Sequence, residues 1–232
     1  MISQSGSIKS VRKKFIISSL PRTGSEALVH SLVKAGLNIC PSEPFNIDST
    51  TISGVDRYDH LAFTRKIFES YDGFKIIIHH TMQLLDMCEK NDAKLILIKR
   101  NNYLSSVASY IGLLRGEIGI NDDSSKHETW TSSGKGMIYE PINLIDHILD
   151  RFLYHNYLID HVYNKHEYYL TTVHYEDPSG GISDLENYFE CDISLQLKQN
   201  VPLSEYFVNH EEFKKDIEKR LKKMQGGGFT FD

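Results

Sequence analysis

The chain has 232 residues, of which 40% are hydrophobic and 25% are charged. This composition supports one folded domain with a core and excludes disordered and fibrous proteins. A net charge of −5 disfavours a nucleic-acid partner, and no apolar run approaches the roughly 20 residues of a membrane-spanning helix.

Four short apolar runs of strand length recur along the chain, at residues 15–19, 74–78, 94–98 and 168–173. Their nearly continuous apolar character is typical of parallel strands that are covered on both faces. Helical patterns separate the strands and follow the last of them, at 25–35, 82–90, 102–115 and 210–224. Two further helices are predicted from their starts. Pro141 suits the first turn of a long helix, and Ser183 and Glu186 form the pattern of a capping box before another. This alternation predicts an α/β layered domain with a mainly parallel sheet.

The first strand leads through Pro21-Arg22-Thr23-Gly24-Ser25 directly into a helix. Ligands of open parallel sheets bind at the carboxyl ends of strands, near helix N-termini. Gly24 permits a tight turn that would direct the backbone amides of Thr23 to Glu26 to one point, and the hydroxyls of Thr23 and Ser25 add donors. The pattern indicates an anion cradle, with an ordinary strand–helix turn as the alternative. It is not a Walker A loop, because GxxxxGK[ST] is absent and Arg22 takes the place of a lysine.

The third strand ends beside Arg100, and the helix that follows carries Ser109. A guanidinium at a strand end and a hydroxyl on the next helix can converge on one phosphate, because arginine offers a bidentate fork and serine a further hydrogen bond. The alternative for either residue alone is a solvated arginine or a polar helix surface.

Together, these two segments resemble the sulfotransferases that use 3′-phosphoadenosine 5′-phosphosulfate (PAPS). Residues 21–25 resemble their 5′-phosphosulfate loop, and residues 100–109 resemble their 3′-phosphate motif. The spacing resembles the bacterial carbohydrate branch, which includes the nodulation-factor and trehalose enzymes, more than the cytosolic phenol enzymes. Three further segments of this chain, at 35–45, 73–76 and 172–177, resemble segments of that branch and occur in the same order. Asn102 departs from the pattern, since many relatives have a proline there.

The resemblance implies a three-layer, P-loop-like domain that moves a sulfuryl group from PAPS to a hydroxyl of a carbohydrate or other small-molecule acceptor. The histidines share no metal-ligand pattern, so we expect no metal, and whether the protein forms oligomers is left open. Arg22 would stabilise charge beside the leaving 5′-phosphate and the sulfuryl group. The residues that would bind the cofactor are Arg22, Thr23, Gly24, Ser25, Glu26, Arg100, Ser109 and, in a segment that only loosely resembles the bacterial enzymes, Lys198.

Three residues are candidates for the general base that accepts the proton of the acceptor hydroxyl. Glu43 occupies a site where a carbohydrate sulfotransferase can carry a catalytic glutamate, and Pro41 and Pro44 hold it in an extended segment. His79 and His80 end the second strand, in a region where the phenol enzymes have a histidine base. Side chains alternate along a strand, so at most one of these histidines should face the acceptor. We favour Glu43, then His79, then His80.

Two other functions fit parts of the same pattern. One is a kinase-like phosphoryl transferase with a degenerate loop, and the other is a PAPS- or nucleotide-binding protein that has lost its chemistry. Acceptor choice is expected in the loops at 46–60 and 116–140, where Trp130 could stack on a sugar or simply pack. Three scattered cysteines without a CxxC pair are typical of a cytoplasmic protein. We therefore expect a single cytoplasmic domain over residues 1–232, with flexible ends at 1–13 and 225–232.

Overall fold

The computed structural model describes residues 12–41, 43–45, 55–56, 58–77, 81–114, 138–141, 144–195 and 202–226. Within these ranges the strands are β1 (Phe15–Ser19), β2 (Gly73–Ile77), β3 (Lys94–Lys99) and β4 (Tyr169–His174). The α-helices in the same ranges are α1 (Ser25–Lys34), α2 (His60–Ser70), α3 (Thr81–Asn91), α4 (Tyr103–Leu114), α5 (Ile145–His161), α6 (Ser179–Phe189), α7 (Leu203–Tyr206) and α8 (His210–Gly226). None of these helices is both long and apolar enough to cross a membrane.

The four strands form one parallel sheet in the order β2-β1-β3-β4. The chain leaves β1 for β2 on one side and returns to β3 on the other side, so the strand order reverses beside β1. Such a reversal marks the carboxyl end of the sheet where α/β proteins bind ligands. The prediction of a mainly parallel sheet flanked by helices is confirmed, and the predicted strands match the observed ones to within one residue at each end.

Apolar side chains cover both faces of the sheet, as the continuous apolar strands predict. One face packs against α1 and α6 through residues such as Ile17, Ile96 and Leu185. The opposite face packs against α2 and α3, and Phe74 and Leu95 contribute to that core. A third apolar cluster joins α4, α5, α7 and α8 to the loop after β1. This third cluster fixes the helices around the carboxyl end of β1.

Two predicted helix starts are wrong. Helix α5 begins at Ile145 rather than at Pro141, because the residues before it bond to another part of the chain. The amide of Tyr139 donates to Asn209 Oδ1 at 2.6 Å, and Asn209 donates back to the Tyr139 carbonyl at 3.0 Å. The bonds of Tyr139 therefore hold this segment at the start of α8. Tyr139 belongs to the end of the expected 116–140 loop. The rest of that loop, residues 116–137 with Trp130, lies outside the described residues.

Helix α6 begins at Ser179, so Ser183 lies inside the helix and does not cap it. The Ser179 hydroxyl donates to the Asp177 carboxylate at 2.7 Å at the true start of the helix. Glu186 accepts from the Ile193 amide at 2.9 Å instead of completing a capping box. Helix α2 was not predicted, and its start overlaps the expected 46–60 loop. Its first turn is capped by the Asp59 carboxylate, which accepts from the Ala62 amide at 3.0 Å.

Two adjacent glycines of α6 should respond oppositely to substitution by alanine. A Cβ on Gly181 would lie 2.8 Å from the Thr172 carbonyl oxygen of β4, whereas a Cβ on Gly180 meets nothing within 4 Å. We expect Gly181→Ala to lower the free energy of unfolding by about 1–3 kcal/mol, since the helix must move off the sheet. Gly180→Ala should leave it unchanged or raise it by up to about 1 kcal/mol through helix propensity. Urea denaturation compares the two, and equal effects would show that α6 is not closely packed on β4.

Candidate anion-binding and catalytic site

The β1–α1 loop (residues 20–24) turns sharply through two residues with left-handed backbone, Arg22 at φ 65° and Gly24 at φ 87°. The Thr23 hydroxyl donates to the Leu20 carbonyl at 2.7 Å and so holds the loop together. Thr23 would therefore bind a ligand through its backbone amide. Gly24 is the N-cap of α1 and has no side chain with which to cap it. The first turn of α1, with Ser25 and Glu26, therefore presents its amides at the carboxyl end of β1.

Helix α4 contrasts with α1, because protein groups bond the amides at its start. The Glu176 carboxylate accepts from the amides of Asn101 and Asn102 at 3.0 and 2.9 Å. The side-chain oxygen of Asn102 accepts from the Ser105 amide at 3.0 Å. Asn102 thus acts as an N-cap, which gives a structural reason for an asparagine at this position. The same capping fixes the start of the helix that carries Ser109.

The two sequence motifs meet directly. Arg100 Nη1 donates to the backbone carbonyl of Arg22 at 2.8 Å, across 78 residues of sequence. Arg22 Nε donates to the Ser109 hydroxyl at 2.8 Å, across 87 residues. Two guanidinium groups and a hydroxyl therefore lie together beside the N-terminus of α1. This combination of fixed positive charge and hydrogen-bond donors is suited to an anion.

Aromatic side chains surround Arg100, which is only 6% exposed. Its guanidinium lies 4.2 Å from the ring centroid of Tyr175, within cation–π range. Burial lowers the pKa of Arg100, and the positive charge of Arg22 adds to this effect, while Tyr175, Tyr206 and Glu176 oppose it. Because the surroundings disfavour this positive charge, a bound anion would stabilise it. We refer to Arg22, Arg100, Ser109, Tyr175 and Tyr206 as the arginine cluster.

Tyr206 was not predicted as a site residue. It comes from α7, is 3% exposed, and forms a hydrogen bond with Ser109. Burial raises the pKa of Tyr206, whereas Arg100 and Arg22 act to lower it. The C-terminal part of the chain therefore reaches the arginine cluster through Tyr206. Lys198, which was predicted to contribute from this part, lies outside the described residues.

Glu43 lies beside the same helix N-terminus, and Lys75 of β2 holds it there. Lys75 is 5% exposed, and its Nζ lies 2.6 Å from Glu43 Oε1. The same ammonium contacts the carboxylate of Glu26 in the first turn of α1. Lys75 was not predicted as a site residue, although a lysine inside an otherwise apolar strand signals a buried partner. This lysine ties the Pro-flanked segment of Glu43 to the start of α1.

Two opposing influences act on the Glu43 carboxyl. Its side chain is 21% exposed, and burial raises its pKa above the ordinary value. The neighbouring ammonium of Lys75 favours the ionised form and limits that rise. A carboxylate that is partly buried and fixed in place can act as a general base in its ionised form. The competing candidates His79 and His80 lie outside the described residues.

No protein-family model matches the chain, and no curated protein matches it at a significant level. Among solved structures, the chain is similar to mouse sulfotransferase SULT7A1 complexed with PAP, with a TM-score of 0.42 and 14% sequence identity. The similarity covers 90% of this chain and 64% of the mouse chain, so this chain spans less than two thirds of that length. A likeness this distant assigns no activity.

Proposed function

We propose that this protein is a PAPS-dependent sulfotransferase that acts on a hydroxyl of a carbohydrate or other small molecule. The observation that carries the proposal is the contact between the two motifs, in which Arg100 donates to the Arg22 carbonyl and Arg22 donates to Ser109. Each motif resembles one of the two phosphate-binding segments of these enzymes. The donors gather at the N-terminus of α1, where a doubly phosphorylated nucleotide would find both charge and amides.

The proposed roles divide the arginine cluster between two ends of the nucleotide. The amides of residues 23–26 and the Arg22 guanidinium would bind the 5′-phosphosulfate. Arg100 and Ser109 would bind the 3′-phosphate, with Tyr206 beside them. The Arg22–Ser109 hydrogen bond spans the two groups, so binding at one end is physically linked to the other.

The reaction would be an in-line displacement, treated by analogy with phosphoryl transfer. The acceptor oxygen forms a bond to sulfur while the bond between sulfur and the bridging phosphate oxygen breaks, which releases PAP. The Glu43 carboxylate would accept the proton of the acceptor hydroxyl. Arg22 would stabilise the negative charge that develops on the bridging oxygen. Lys75 would hold Glu43 in position through their 2.6 Å contact.

The experiment that tests the proposal compares the binding of PAP and AMP to wild-type protein and to Arg100→Gln. We expect PAP to bind the wild type, and the substitution to lower PAP affinity by about tenfold to a hundredfold, the range for a hydrogen bond to a charged group. AMP lacks the 3′-phosphate, so its affinity should fall by less than about threefold, since Arg100 would not contact it. Isothermal titration calorimetry measures both ligands.

A matched control is Arg65→Gln, which removes an exposed arginine from α2. It should leave both affinities unchanged, because α2 contributes nothing to the arginine cluster. Absence of PAP binding to the wild-type protein would overturn the proposed function. Equal losses of PAP and AMP affinity in Arg100→Gln would show that Arg100 does not read the 3′-phosphate.

A further inference from the structure

A cavity of about 190 Å³ lies between the β1–α1 loop and the helices α4 and α5. Its floor is apolar and includes Leu20, Ile148 and Phe152, each of which is at most 4% exposed. An apolar protein cavity of roughly 150 Å³ accommodates benzene, so this one has room for a six-membered ring. None of these residues has a part in the proposed binding of PAP.

The cavity borders the arginine cluster. Pro21, which lines it, immediately precedes Arg22, and Tyr110, which also lines it, immediately follows Ser109. Arg22 and Ser109 are joined by their 2.8 Å hydrogen bond. The cavity therefore lies against the β1–α1 loop that, under the proposed function, binds the 5′-phosphosulfate.

Two basic side chains, His147 and Arg151, stand at the exposed side of the cavity. They are four residues apart on α5 and so lie on one face of the helix. The helix neighbours of Arg151 at three and four residues' distance are His147, Ile148, Tyr154 and His155, none of which is acidic.

The carboxylates nearest in sequence do not face Arg151 as partners. Asp146 pairs with Arg220 of α8 at 2.6 Å. Asp150 is adjacent in sequence, and adjacent residues on a helix do not face each other. The cavity thus combines an apolar floor with a guanidinium that carries positive charge at its rim.

We propose that this cavity is the acceptor site and that it selects an apolar ring bearing an anionic group, which Arg151 binds with His147 as a second donor. The proposal rests on the proposed function for the identity of the reaction, and it narrows the acceptor class beyond a hydroxyl compound. The ring would lie on Leu20, Ile148 and Phe152, with its hydroxyl directed to the side of the cavity where Pro21 precedes Arg22.

The test uses two small probes that differ in charge but not in ring or hydroxyl, 4-hydroxybenzoate and 4-hydroxybenzamide. Their dissociation constants are measured by NMR titration, with and without PAP. We expect the benzoate to bind the wild type about fivefold more tightly than the benzamide, as an exposed ion pair allows. Arg151→Gln should abolish that preference, and Arg65→Gln should retain it because that exposed arginine lies on α2.

Each outcome has one meaning. No saturable binding of 4-hydroxybenzoate, equal affinity for the two probes in the wild type, or the same loss in Arg65→Gln as in Arg151→Gln would overturn the inference. Retained PAP binding in those cases would leave the proposed function intact. Failure of PAP to bind, together with an Arg151-dependent preference for the benzoate, would instead overturn the proposed function and leave an anion-selective pocket without the transfer reaction.

Discussion

Glu43→Gln should lower kcat by about 10²–10⁴, the usual contribution of a positioned general base. Glutamine keeps the size of the side chain and can still accept a hydrogen bond from Lys75, but it cannot take up the proton of the acceptor. PAP affinity should stay within about threefold, because the carboxylate has no proposed contact with the nucleotide. Steady-state kinetics with PAPS and calorimetry with PAP measure the two quantities separately.

The pH profile gives an independent check. Glu43 must be ionised to act, so kcat/KM should fall as the pH drops through its pKa in the free enzyme. Burial raises that pKa, which places the acid limb above the ordinary glutamate value. The limb should disappear in Glu43→Gln.

A matched control removes another carboxylate that pairs with a lysine. Glu69 lies 2.6 Å from Lys66 on the surface of α2, and Glu69→Gln should leave kcat unchanged. His79→Ala should cost less than Glu43→Gln. The opposite ranking, with Glu43→Gln near the wild-type rate and His79→Ala nearly inactive, would assign the base role to the histidine.

The sheet could be predicted because the burial of each strand is visible in its own sequence. A run such as Phe15–Ser19 is buried on both faces, and that is visible as continuous apolar character. Helix starts were harder, because what decides them lies elsewhere in the chain. Ser183 has the sequence of a cap, yet Asp177 provides the bond at the start of α6. Pro141 suits a first turn, yet the bonds between Tyr139 and Asn209 hold the preceding segment at the start of α8.

The site likewise combines residues that local sequence patterns indicate with residues that only distant contacts bring in. Arg22, Arg100 and Ser109 could be selected because each sits at a strand end or on the helix after it. The partners that complete the site come from distant segments, and a linear pattern does not encode these contacts. Lys75 reaches Glu43 from another strand, and Tyr206 reaches Ser109 from α7. Lys75 could have been noticed in the sequence, because a charged residue within an apolar strand requires a partner.

Arg22→Ala and Arg22→Gly should both lower kcat by about 10²–10³, the typical cost of removing one preorganised donor from a developing negative charge. Neither substitution should dismantle the arginine cluster. Arg100 donates to the backbone carbonyl of residue 22, which both variants keep, whereas the hydrogen bond from Arg22 to the Ser109 hydroxyl is lost. Steady-state kinetics at saturating PAPS measure the loss.

Comparing Arg22→Ala with Arg22→Gly distinguishes an effect on catalysis from an effect on stability, because the backbone at residue 22 is left-handed at φ 65°. Alanine strains this conformation and glycine does not, so Arg22→Gly should be more stable than Arg22→Ala by about 1 kcal/mol. If the guanidinium stabilises transferred charge, the two variants share the same low kcat despite their different free energies of unfolding. A kcat that instead recovers in Arg22→Gly towards the wild-type rate would show that Arg22 shapes the loop and takes no part in catalysis. Denaturant titration of both proteins, run beside the kinetics, distinguishes these results.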